Sequence, residues 1–117
     1  MQPDDAVRFR HMWDAAQEAL SFVNGKTRGE LETDRQLALS LVKEVEIIGE
    51  AAHQVSESTR LEHPDLPWNE MAGMRHHLVH AYFDIDLDIV WRTVTEDLPR
   101  LIAALEPVLA KLPKAQS

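Results

Sequence analysis

Apolar residues recur at intervals of three and four along most of this chain, a period that restricts it to packed helices. Phe9, Trp13, Ala16, Leu20 and Val23 form one such stripe. Leu37, Leu41, Ile48, Ala51 or Ala52, and Val55 form a second, near-heptad in spacing and broadened by Val45 and Ile47. Leu87, Trp91, Val94, Leu98, Leu101, Leu105, Val108 and Leu112 make a third seam. No stretch alternates with the period of two that a half-buried strand needs. The expected fold is a single all-α domain over residues 1–117, an up-and-down bundle of roughly four to five helices.

Capping and breaking residues divide the stripes into elements. A first helix is expected from about Pro3 to Phe22, with Asp4 and Asp5 beside the positive end of its dipole and Asn24-Gly25 as its stop. After a polar loop, Thr33 to Leu61 reads as one long second helix, opened by a capping box of Thr33 and Gln36. Its wide apolar surface suits a helix with two neighbours, one of them in another chain. His63-Pro-Asp-Leu-Pro-Trp68 is a rigid break, and a third helix follows from about Pro67 to His80. Asp84 and Asp86 offer N-cap carboxylates for the last seam. Pro99 interrupts that seam, so two helices, or one sharply bent, are expected on either side of Asp97. The tail from about 113 to 117 is expected to fray.

Composition narrows the function classes. The formal net charge of −8 disfavours nonspecific coating of nucleic acid, so any RNA contact must use a local basic patch. The chain has no cysteine, which removes disulfide and thiolate chemistry. Met-Gln-Pro-Asp-Asp at the start has no apolar signal core, and no apolar run approaches a membrane span. A cytoplasmic protein without membrane contact is therefore expected.

Polar chemistry collects in one place, Met71 to Tyr82. Arg75, His76, His77, His80 and the only tyrosine, Tyr82, fall between positions 75 and 82. A fixed cation, imidazoles that titrate near neutral pH and a phenol suit RNA cleavage without metal. An imidazole can take the proton of a ribose 2′-hydroxyl, and a guanidinium can hold the charge on phosphorus-bound oxygen. On a continuous helix Arg75 and Tyr82 would share a face, about 20° apart, while His80 would be rotated by about 140°. Either the helix ends near His80 and the chain turns, or two copies of the stretch complete one another.

Arg75-His-His-Leu-Val-His80-Ala-Tyr82 resembles the Arg-x4-His-x-Tyr signature of the HEPN superfamily. Its surroundings are similar to the HepT-like branch: Glu46-Ile-Ile-Gly-Glu-Ala51, Pro64-x-x-Pro-Trp68, Val79 through Tyr82-Phe83 to Asp86, and Asp88-Ile-Val-Trp91. The resemblance covers about Thr33 to Leu105. It implies the toxin of a type VII-like toxin–antitoxin system, a metal-independent endoribonuclease acting on tRNA, mRNA or another RNA. It further implies a homodimer whose two signature stretches face a shared cleft. The implied partner is a minimal nucleotidyltransferase antitoxin, which uses ATP to add AMP to Tyr82; the toxin itself has no cofactor. Residue by residue, Arg75 would hold the phosphate, His80 would be the general acid/base, and Tyr82 would be substrate contact and modification acceptor. His76 stands where relatives often carry Asn and would add a phosphate-binding or titrating group, while Ala81 replaces a frequent Asp. Glu50 would be an accessory group pointing toward the cleft.

Plainer readings stand beside these. Arg75 could pair with a carboxylate across the bundle, His80 could bond a backbone carbonyl, and Tyr82 could be a packing aromatic. His76 or His77 with His80 has metal-ligand spacing, but no third ligand is evident and no metal is expected. Trp68, Trp91, Met12, Met71 and Met74 read as packing residues. A different functional class also remains, a non-catalytic nucleotide- or partner-binding subunit of a nucleotidyltransferase complex.

Overall fold

Proline in the first turn and acids behind it start the first helix where its dipole favours them. The computed structural model describes residues 1–81 and 84–112, with His80 and Ala81 described by their backbone alone. Helix α1 spans Pro3–Val23 and stops at Asn24, where Gly25 takes φ +76 and turns the chain. Glycine adopts that left-handed φ without steric cost. Helices α2 (Glu30–Thr33), α3 (Arg35–Gln54), α4 (Glu57–Glu62) and α5 (Trp68–Leu78) follow. A short ladder of β1 (Val79–Ala81) and β2 (Asp84–Ile85) leads to α6 (Leu87–Arg92), a π turn at Thr93–Asp97 and α7 (Leu98–Ala110). The architecture is an all-α bundle.

The helix expected from Thr33 to Leu61 is divided. Asp34 rather than Thr33 caps α3, accepting a hydrogen bond from the Leu37 N–H at 3.0 Å, and the Thr33 hydroxyl turns to the Glu30 carbonyl instead. At the far end Val55 and Ser56 leave helical geometry, with ψ 136 and 149. Asp5 of α1 accepts the Ser56 backbone N–H at 2.9 Å and the Ser56 hydroxyl at 2.7 Å. A buried carboxylate from another helix thus offers Ser56 more than a further helical turn would.

The third helix ends at Leu78, two residues short of the expected His80. Val79 pairs antiparallel with Ile85 and Ala81 with Asp84, and the Asp86 N–H reaches the Leu78 carbonyl at 2.8 Å. The expectation of no strand is corrected here; three residues are too few to display a period of two. Asp86 does cap α6, accepting from the Ile89 N–H at 3.1 Å. Pro99 has no N–H for the Thr95 carbonyl and crowds it, and the wider π turn beside it absorbs the mismatch. The expected frayed tail, 113–117, lies outside the described residues.

α1 packs against α3 and α7, and α3 against α5. Phe9, Met12, Leu41, Val45, Ile48, Met71, Leu78, Leu98 and Leu105 are fully buried in one cluster. The first stripe lies in a slightly different phase from its expectation: Met12 and Ala19 face inward, while Trp13 and Leu20 are only partly covered. The break before α5 is pinned by Trp68, whose Nε1 donates to the His63 carbonyl at 2.9 Å and whose ring meets Phe9 edge-on at 5.9 Å.

Gly49 sets the distance between α3 and α5. A Cβ there would come within 3.1 Å of the Met71 carbonyl oxygen and 3.6 Å of that of Ala72, both backbone atoms. Gly49→Val is expected to destabilise the fold by about 1–3 kcal/mol through overpacking, measured as a lower urea midpoint. Gly73→Ala, on open space in α5, should instead stabilise by about 0.5–1 kcal/mol.

Candidate active site

Arg75 lies in the last turn of α5, one turn from Met71 and one from Leu78, which are both buried. Its side chain therefore leaves α5 on the side that faces α3, yet remains 51% exposed. The guanidinium Nε donates to Glu46 Oε1, and Glu46 Oε2 lies 3.8 Å from Lys43 Nζ. An ion pair this exposed adds little to stability, about 0–1 kcal/mol. Its effect is orientation, because it fixes the plane of a side chain that would otherwise sample many rotamers. The plain reading of Arg75, a carboxylate partner across the bundle, is met; Glu46 takes the Nε edge of a group that carries five N–H donors.

His76 and His77 are exposed beyond Arg75. His80 sits in β1, past the end of α5, so the shared helical face calculated for Arg75 and Tyr82 does not apply: no helix connects them. α5 ends at Leu78, so the helix stops near His80, as the first of the two alternatives has it. The His80 side chain and all of Tyr82 lie outside the described residues. Glu50 is exposed, one turn beyond Glu46 on the same side of α3, and makes no hydrogen bond or ion pair among the described residues. Glu46, not Glu50, is the α3 carboxylate in contact with Arg75. It stands in the quoted Glu46–Ala51 segment, but its partner is 29 positions away and no local pattern reveals the pairing.

Among the described residues no group of three or more His, Asp or Glu side chains could hold a metal ion, and no helix is long and apolar enough to cross a membrane. A second titrating feature lies away from Arg75, between α1 and α3. Burial, then hydrogen bonding and repulsion from Glu18, raise the Glu44 carboxyl to about 7. Glu44 is 4% exposed and its Oε2 has no hydrogen-bond partner. A carboxyl raised in the folded state binds more protons there than when unfolded, so its contribution falls as pH climbs from the ordinary carboxylate range through about 7. Glu44→Gln should raise the urea midpoint at pH 8 and leave it nearly unchanged at pH 4, below the ordinary carboxylate value.

The all-α bundle, with Arg75 in the last turn of α5, is consistent with a HEPN-type domain. The chain belongs to the HepT-like ribonuclease family, whose model, "Ribonuclease HepT-like", matches residues 12–108. Among similar curated proteins, one from Thermococcus cleftensis bears the name "Probable ribonuclease HepT" and is 41% identical over 73 residues. That match covers 62% of this chain and 66% of the relative. A "Putative RNase" of Methanocaldococcus jannaschii is 32% identical, covering 81% of this chain and 87% of its own length. Another "Putative RNase", from Caldanaerobacter subterraneus, is 32% identical, with 86% and 90% covered. No solved structure matches the chain at a significant level.

Proposed function

We propose that this protein is a metal-independent endoribonuclease and the toxin of a toxin–antitoxin pair. The observation that carries the reading is Arg75, exposed at the end of α5 and oriented by Glu46, in a chain of the HepT-like ribonuclease family. A guanidinium fixed along its Nε edge offers its remaining donors to a phosphate, where they stabilise the charge that develops as the 2′-oxygen attacks phosphorus. His80, five residues on, is assigned the proton transfer: it removes the 2′-hydroxyl proton or protonates the leaving 5′-oxygen. His76, exposed beside Arg75, would add a further contact to the RNA backbone.

In this reading two copies form a homodimer, and each contributes an Arg75–Tyr82 stretch to a common cleft. Tyr82 is the acceptor of AMP from a nucleotidyltransferase antitoxin that consumes ATP. Adenylate there brings negative charge and bulk to the place that RNA phosphate must occupy, which silences the enzyme.

Induced expression in a bacterial host tests the proposal, comparing wild type with His80→Ala and examining total RNA alongside. Growth arrest with RNA fragments, both lost in the variant, is expected. Equal growth and intact RNA from both, with mass spectrometry finding no AMP on Tyr82, would transfer the assignment to a non-catalytic partner-binding subunit.

A further inference from the structure

Across α5 from Arg75 lies a cleft of about 560 Å³, between α5 and the α6–α7 segment. Gly73 and His77 face it from α5, about 160° around that helix from Arg75. Arg92 and Arg100 line the opposite wall, and the half-buried Met74, Ile89 and Ala104 add apolar lining. The volume falls within the range of small-ligand sites, about 300–1,000 Å³.

The two arginines carry the assignment. Each is exposed, and neither forms an ion pair with a carboxylate among the described residues, although Asp97 lines the same cleft. Arg28 and Arg75, by contrast, are each held by an acid. Arg92 and Arg100 stand on either side of the π turn, at two places along one wall of the cleft, so the pair suits neighbouring phosphates of a single strand. Apolar lining together with two cations suits a base unstacked from its neighbours. Asp65, Glu70 and Asp97 also line the cleft and would accept from an exocyclic amino group of the base.

We infer that this cleft is a second RNA subsite, seating a base a few nucleotides from the scissile phosphate while Arg92 and Arg100 hold the flanking phosphates. The strand would pass around the C-terminal end of α5, from the cleft to Arg75. This rests on the ribonuclease reading above, and it assigns to the cleft a part in choosing the sequence that is cut.

Gly73 allows a clean test. A Cβ added there meets nothing within 4 Å, and Gly73 lines the cleft, so Gly73→Leu starts from open space and occupies the cleft with its side chain. Leucine is also the better helix former, so that variant should melt no lower than wild type. Steady-state cleavage of a single-stranded RNA is compared for wild type, Gly73→Leu and the double variant Arg92→Gln/Arg100→Gln, with melting temperatures recorded. Each folded variant is expected to raise KM at least ~10-fold, the scale of losing a hydrogen bond to a charged group, with kcat nearly unchanged and the preferred cleavage sites altered. Unchanged KM and unchanged sites in both folded variants overturn the subsite. So does competition by AMP that both variants lose while their RNA kinetics stay at wild type, which would give the cleft to a free nucleotide. Wild-type protein that neither binds nor cuts RNA removes the ribonuclease reading and the subsite with it, and that result is visible before any variant is compared.

Discussion

Arg75→Ala is expected to lower kcat/KM for RNA cleavage by about 10²–10³-fold, the usual consequence of losing one donor that stabilises developing negative charge. Stability should hardly change, because the exposed Arg75–Glu46 pair contributes no more than about 1 kcal/mol. Arg75→Lys keeps the charge but loses the planar fork, and should recover only part of the activity. Glu46→Ala separates positioning from catalysis: the guanidinium remains but its Nε edge is released. A fall well short of that in Arg75→Ala, reversed in part by Glu46→Gln, is the pattern of a positioning residue. If Arg75→Ala cleaves RNA as wild type does, Arg75 is a surface ion-pair residue, as the plain reading held. Initial rates against RNA concentration, with urea unfolding of each variant, give both quantities.

The largest effect on stability is expected at Asp5. It is 2% exposed and accepts the Ser56 N–H at 2.9 Å, the Ser56 hydroxyl at 2.7 Å and the Thr59 hydroxyl at 2.6 Å. Burial pushes its carboxyl up, but the hydrogen bonds from Thr59 and Ser56 outweigh that and leave it below the ordinary aspartate value. A carboxyl depressed in the folded state stabilises above its unfolded pKa, and that contribution is lost as pH falls through the folded value. Asp5→Ala strands these donors, one of them in the fully buried Thr59, and should cost about 3 kcal/mol at pH 7. The loss should shrink toward pH 3. Because Asp5 ties α1 to the start of α4, which leads through the Trp68 break into α5, the variant should also loosen the element that presents Arg75. Urea midpoints at pH 7 and pH 3 measure the first effect, and amide exchange along α5 measures the second.

How far the sequence leads depends on the range of each interaction. The stripes around Phe9, Leu41 and Leu105 are local repeats, and they locate the core because a helix buries whatever recurs at its own period. The caps at Gly25 and Asp86 and the irregularity before Pro99 are likewise local chemistry. Asp5 marks the limit. In sequence it is an acid in a first turn, and its larger role, drawing Ser56 out of the helix, needs a partner 51 residues away. The Arg75–Glu46 pair fails to show for the same reason. The signature made Arg75 and His80 legible as candidates, but α5 stops at Leu78, so helical arithmetic could not relate them. The cleft at Gly73 is assembled from both sides of the β-ladder, and no single stretch contains it.

The central claim is cleavage of RNA without a metal, and purified protein tests it most directly. Wild type and His80→Ala are each incubated with single-stranded RNA in excess EDTA, after mass spectrometry has established that Tyr82 is unmodified. The account predicts fragments with 5′-hydroxyl and 2′,3′-cyclic or 3′-phosphate ends from wild type, at a rate that EDTA does not lower, and intact RNA from His80→Ala. Intact RNA from unmodified wild type, or cleavage that EDTA abolishes, would contradict it.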